Sequence, residues 1–162
     1  MFMDRTLKGL AVVLLVFTVA GFAAAQQATK YEKYLTAADI EKVTGLKNIK
    51  LTESRANSST GSLEFRDMEG SRVLTAKFYK VVNFKKEEEK KRGMVKGEIK
   101  GIGEDAYYGP NIDLPNILTF KKKEFCVVLG TIINNHASGD KFVLYVSMEQ
   151  LKAIAKIIDS RI

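Results

Sequence analysis

The apolar N-terminal segment determines which part of this chain can form the folded domain, because we expect the segment to be removed. Three charged residues precede an apolar run that begins at Leu10 and ends in the small and apolar residues 21–25. A charged start, an apolar stretch and an A-x-A site are typical of a secretory signal peptide. We therefore predict a cleaved signal peptide over residues 1–25, with cleavage between Ala25 and Gln26.

A retained membrane anchor is the competing interpretation of the same segment. A membrane-spanning helix needs about 20 predominantly apolar residues, whereas residues 9–25 number 17 and end in alanines. No cysteine directly follows the run, so a lipid anchor of the bacterial lipoprotein type has no acceptor. We predict an exported, soluble protein of the periplasm or the extracellular space.

The single cysteine constrains how the exported chain can be stabilised. Removing 25 of the 162 residues leaves 137, which suit one domain over residues 35–162 behind a flexible lead-in over residues 26–34. Cys126 cannot form an intrachain disulfide, so the apolar core must stabilise this domain without cross-links. Because Cys126 lies in an apolar stretch, we expect a buried and unreactive thiol.

Helix signals occur near both ends of the predicted domain. Thr36 can cap a helix that Gly45 ends. Ser147 and Gln150 form a capping box, followed by apolar residues at helical spacing up to Ile162. These patterns predict an N-terminal helix and a C-terminal helix.

Between these helices, alternation of apolar and polar residues predicts a series of strands. The predicted strands are residues 48–52, 63–66, 72–82, 94–102, 117–121, 124–133 and 141–146, with loops at 53–61, 101–115 and 134–140. Residues 84–92 are nearly all charged and predict an exposed helix that crosses between two halves of the sheet and ends at Gly93. The predicted class is α+β, with a largely antiparallel sheet of about six or seven strands.

The residues that usually carry catalysis or metal binding are sparse. His136 is the only histidine and lies far in sequence from Cys126, so zinc is not expected. Glu104 and Asp105 belong to no calcium-loop spacing. Residues 101–106 fit G-x-G-x-x-A, but the Tyr-Tyr-Gly-Pro that follows is unsuited to starting the helix of a dinucleotide site. We predict no metal, no cofactor and no enzymatic activity.

Basic residues alternate with aromatic residues in the strands, and the net charge of +7 falls to +6 without the leader's two basic residues and one acidic residue. Outside the cytosol this pattern favours an anionic ligand or an anionic membrane surface rather than nucleic acid. A structural alternative is that the lysines only protect the strands against aggregation. The candidate ligand-binding residues are Tyr107, Tyr108, Lys121, Lys122 and Lys123.

Three stretches together resemble small exported bacterial proteins and lipoproteins of unknown function. They are the opening helix at residues 35–45, the G-x-G-[DE]-x-A-Y turn at residues 101–107 and the final helix at residues 151–161. The resemblance implies a Mog1/PsbP-like α+β sandwich, a fold in which some members are thought to carry lipids or to assist envelope complexes. The chain lacks the lipidation cysteine and the paired cysteines common among these proteins.

Two functions remain open from the sequence. The first is an exported, non-enzymatic binding or accessory protein for an amphipathic or anionic ligand. The alternative is a structural subunit of a cell-envelope assembly, which would contact an envelope protein through the charged segment at residues 85–92.

Overall fold

A computed structural model describes residues 30–57, 60–109, 117–131, 133–134 and 143–162. The predicted signal peptide, residues 26–29 of the predicted lead-in and most of the predicted loop at 134–140 lie outside these ranges.

Seven antiparallel strands form one open sheet in the order β1-β2-β3-β7-β6-β5-β4. The strands are β1 (Lys50–Ala56), β2 (Thr60–Arg66), β3 (Arg72–Lys80), β4 (Gly97–Ile99), β5 (Asp105–Tyr108), β6 (Ile117–Lys122) and β7 (Phe125–Gly130). β8 (Ile133–Asn134) and β9 (Val143–Leu144) form a separate short pair. The sheet therefore consists of two meanders, β1-β2-β3 and β4-β5-β6-β7, which join where β3 pairs with β7.

In the described part of the chain, three helices accompany the sheet: α1 (Ala37–Thr44), α2 (Lys86–Lys91) and α3 (Met148–Arg161). The capping box predicted at Ser147 and Gln150 is present, and the predicted cap Thr36 likewise exchanges hydrogen bonds with Asp39. Gly45 ends α1 with a φ of 76°, a left-handed conformation that costs little without a β-carbon. The α+β class with a largely antiparallel sheet is thus confirmed.

The apolar core lies between one face of the sheet and the pair α1 and α3. Cross-strand neighbours share a face, so Leu63, Ala76, Leu129 and Leu118 form one continuous apolar row across four strands. Ile154 of α3 is fully buried against this side of the sheet. We name this side the core face and the other side the outer face.

Residues 30–34 differ from the predicted flexible lead-in, because they form a turn that is packed on the core face. Tyr31 and Tyr34 are buried, and the Tyr31 ring stacks on Phe78 with 4.8 Å between centroids. Gly61 leaves room for that ring, since a β-carbon there would collide with it. Aromatic packing therefore holds residues 30–34 against the sheet, although part of this segment is polar.

Several predicted boundaries were wrong. β1 continues through Ala56 into the predicted loop at 53–61, because its polar residues pair with β2. β5 replaces part of the loop predicted at 101–115, whereas the strand predicted over 94–102 shrinks to β4. The strand predicted over 72–82 ends at Lys80, where a 3₁₀ turn follows.

Candidate ligand-binding groove

Among the residues that the structure describes, the outer face of the sheet is covered over only one of its halves. Phe84 packs on Tyr107 with 5.6 Å between ring centroids, and α2 follows it across β4 and β5. The Lys86 ammonium lies 2.8 Å from Asp105 and 3.2 Å from Glu98. The hydrogen bond to Asp105 raises the pKa of Lys86, so this ammonium stays charged and holds α2 against the strands.

The charged segment predicted as a crossing helix over residues 84–92 contains the shorter helix α2 (Lys86–Lys91), and it connects β3 to the far edge strand. Its ion pairs lie at i,i+3 spacing, as in Lys85–Glu88 and Glu89–Arg92. Lys86 is the residue that directs this helix towards its own sheet, because its side chain is only 10% exposed.

The other half of the outer face, over β1, β2, β3 and β7, forms an open groove of about 1140 Å³. Residues that line it include Glu53, Arg55, Ser62, Glu64, Arg72, Thr75, Lys77, Tyr79, Ile117, Val128, Gly130 and Thr131. A groove of this size slightly exceeds the range of about 300–1,000 Å³ for sites that hold small organic ligands.

Charged side chains of both signs line the groove. Glu64 is neutralised by Arg66 at 2.6 Å and by Arg72 at 2.9 Å. Lys77 lies between Ser62 and Val128 in the sheet register. It is exposed and has no carboxylate partner in the described part of the chain. An anionic group could therefore contact Lys77 without displacing an existing ion pair.

The floor of the groove beside Lys77 is apolar and open. Val128 is the neighbour of Lys77 on β7, and Gly130 lies between Thr75 and Ile117 in the register. Among the described residues, a β-carbon added to Gly130 would meet only Ile117 Cγ1, at 4.0 Å. A glycine inside a strand often marks a place where a ligand comes close to the backbone. The groove thus combines a cation with an adjacent apolar floor.

The five residues predicted from sequence do not come together in one site. Tyr107 is buried under Phe84 on the outer face, and the Lys121 ammonium lies 5.6 Å from the centre of the Phe84 ring. Tyr108 lies on the core face, where its ring occupies the space that a side chain at Gly97 would need.

The two remaining lysines also have intramolecular roles. Lys122 pairs with Asp159 of α3 at 2.9 Å, on the core side of the sheet. Lys123, in the turn between β6 and β7, donates to the backbone oxygen of Ile162 at 2.6 Å. None of the five predicted residues lines the groove.

We did not predict the groove residues as a site, because we gave their strands a structural role only. The alternation in β3 places Leu74 and Phe78 in the core, so Thr75, Lys77 and Tyr79 must face outward. Gly130 within an apolar strand was the second available signal.

The described residues show no further reactive centre. Burial raises the pKa of the Cys126 thiol to about 11, so it is protonated at neutral pH. Within the described ranges, no three His, Cys, Asp or Glu side chains lie together in a way that could hold a metal ion. His136 lies outside these ranges. None of the helices in the described part of the chain is long and apolar enough to cross a membrane.

Comparison with protein-family models, with curated proteins and with solved structures finds no match for this chain. The resemblance to small exported proteins stays a prediction.

Proposed function

We propose that this is an exported, non-enzymatic binding protein that holds an amphipathic anion on the uncovered half of its sheet. The observation that carries the proposal is the Lys77 ammonium, which has no carboxylate partner among the described residues and lies beside an apolar floor in a groove of about 1140 Å³. The anionic group would contact Lys77, and the apolar part would lie over Val128 and Gly130 towards Ile117.

Hydroxyl groups around the cation would complete the recognition. Ser62 is the direct neighbour of Lys77 on β2, and Thr75 and Tyr79 precede and follow it on the same face of β3. These side chains can donate hydrogen bonds to carboxylate or phosphate oxygens. Charge-assisted hydrogen bonds contribute about 1.5–3 kcal/mol each. Because Lys77 is exposed, we expect a value near the lower limit.

Binding without catalysis is supported by the state of the groove's acidic groups. Both carboxylate oxygens of Glu64 are engaged by arginines, and Glu53 pairs with Arg55. Because both oxygens of Glu64 already accept hydrogen bonds from guanidinium groups, this carboxylate has less capacity left to accept a proton from a ligand. The paired acids therefore shape the groove more readily than they transfer protons.

The test is a titration with dansyl-undecanoate, a fluorescent amphipathic anion. Lys77→Ala should weaken binding about tenfold, since it removes one charge-assisted contact. Lys47→Ala, at an exposed lysine outside the groove lining, is the matched control and should bind like the unaltered protein.

A second variant tests the floor independently of charge. Gly130→Leu would fill the groove without a backbone collision and should abolish binding while the protein remains folded. Unchanged affinity in both Lys77→Ala and Gly130→Leu would refute the proposal. In that case a structural subunit that contacts an envelope protein through residues 85–92 would become the better proposal, to be tested by crosslinking in cells.

A further inference from the structure

An exposed pair of valines lies at one end of the sheet. β3 ends at Lys80, and the 3₁₀ turn Val81–Asn83 leaves Val82 69% exposed and Val81 37% exposed. Adjacent valines in water forgo the free energy that burial of their methyl groups would give. An exposed apolar pair at a turn would therefore gain free energy by contact with an apolar surface outside this chain.

Lysines surround these valines. The Val81 amide donates to the Glu124 carbonyl oxygen at 2.7 Å, which places the turn between β6 and β7 beside them. We name residues 80–85 and 121–124 together the valine tip. The valine tip contains five lysines and one glutamate.

The five lysines of the valine tip differ in the contacts that they make. Lys80 is exposed and has no ion-pair partner among the described residues. Lys121 rests over the Phe84 ring, and Lys123 donates to the backbone oxygen of Ile162. Among the described residues, Asp and Glu side chains pair with two of the five lysines, Lys85 with Glu88 and Lys122 with Asp159. The sheet thus holds apolar methyl groups and lysine ammonium groups at the same end.

We infer that the valine tip binds the surface of an anionic lipid bilayer. Val81 and Val82 enter the headgroup region, and the surrounding lysines contact lipid phosphates. A few inserted apolar groups hold a protein only weakly, so stable attachment needs a second, electrostatic signal. Lysines near an anionic surface supply that signal within about one Debye length. This inference stands independently of the groove, although Tyr79 at the groove's end directly precedes the valine tip.

The chain contains no tryptophan, so one introduced tryptophan reports its own surroundings. Val82→Trp should shift its emission to shorter wavelength with vesicles of phosphatidylglycerol and phosphatidylcholine in equal amounts. Pure phosphatidylcholine should cause no shift, and high salt should reverse the first one. Met68→Trp is the matched control, because Met68 is 71% exposed at the opposite end of β3 and should not respond.

Co-sedimentation with the same vesicles measures how strongly each variant partitions onto the membrane. Val82→Asp should lower partitioning at least about tenfold, through lost burial and added repulsion, whereas Met68→Asp should not change it. Lys80→Gln should lower it about fivefold. Equal emission shifts at positions 82 and 68, or no shift at either, would overturn the inference. Lys77→Ala should keep vesicle binding and bind the dansyl probe about tenfold more weakly, so the failure of one proposal is distinguishable from that of the other.

Discussion

The two terminal helices are joined by an ion pair whose contribution to stability depends on pH. Arg161 of α3 holds both carboxylate oxygens of Asp39 in α1, at 2.6 and 2.8 Å. Hydrogen bonds from Arg161, assisted by those from Thr36, lower the pKa of Asp39 from 3.8 to about 2. The carboxylate is only 15% exposed, so water screens the pair weakly.

The size of the effect follows from linkage. A drop of about 1.8 pKa units corresponds to about 2.4 kcal/mol at about 1.36 kcal/mol per unit. Because the Arg161 side chain is 36% exposed, we reduce the expected contribution to about 1–2 kcal/mol. The folded state has the lower pKa, so this stability is fully present above about pH 4. It is lost as the pH falls through about 2.

The perturbation is Asp39→Asn, which keeps an oxygen that can cap the helix and removes the charge. Urea unfolding followed by circular dichroism should show a loss of about 1–2 kcal/mol at pH 7 and a much smaller loss near pH 2. Glu149→Gln is the control, because that carboxylate is 82% exposed in its pair with Lys152 and should contribute little. Equal destabilisation by Asp39→Asn at both pH values would refute this reasoning.

Three further predictions concern the covered half of the sheet. Gly103→Ala should destabilise by about 3 kcal/mol or more in urea unfolding, because its β-carbon would meet the Lys121 carbonyl oxygen, whereas Gly101→Ala, with open space, should cost only about 1 kcal/mol. Equal losses would contradict this. Lys86→Met should speed hydrogen exchange in α2 and lower stability by about 1–2 kcal/mol, and unchanged exchange would show that the ion pairs do not hold α2. The Cys126 thiol should react with a thiol reagent only after unfolding, so rapid labelling of the native protein would disprove its burial.

Local signals were read correctly from the sequence. The caps at Thr36 and Ser147 and the left-handed Gly45 depend on a few neighbouring residues, and all three are present. The crossing helix was also predicted, because its charge run and Gly93 identify it without tertiary information. Long-range pairing was less accessible, since β5 acquires its strand structure only by pairing with β4 and β6.

The five ligand-binding residues predicted from sequence do not lie together, and strand geometry explains why. Tyr107 and Tyr108 are adjacent in a strand, as are Lys121 and Lys122, so each pair must divide between the two faces. We grouped these residues because they are close in sequence and similar in type. Side chains alternate between the two faces of a strand, so neighbours in sequence are separated. The groove itself depends on which half of the outer face α2 covers, and this follows from the path of the crossing rather than from any local pattern.

The central claim is that the uncovered half of the outer face holds the ligand. The most direct test is amide and methyl chemical-shift mapping by NMR during addition of dansyl-undecanoate. We predict the largest changes at Thr75, Lys77, Val128 and Gly130, with little change at Tyr107. Changes confined to the half under α2, or none at saturating probe, would contradict the account.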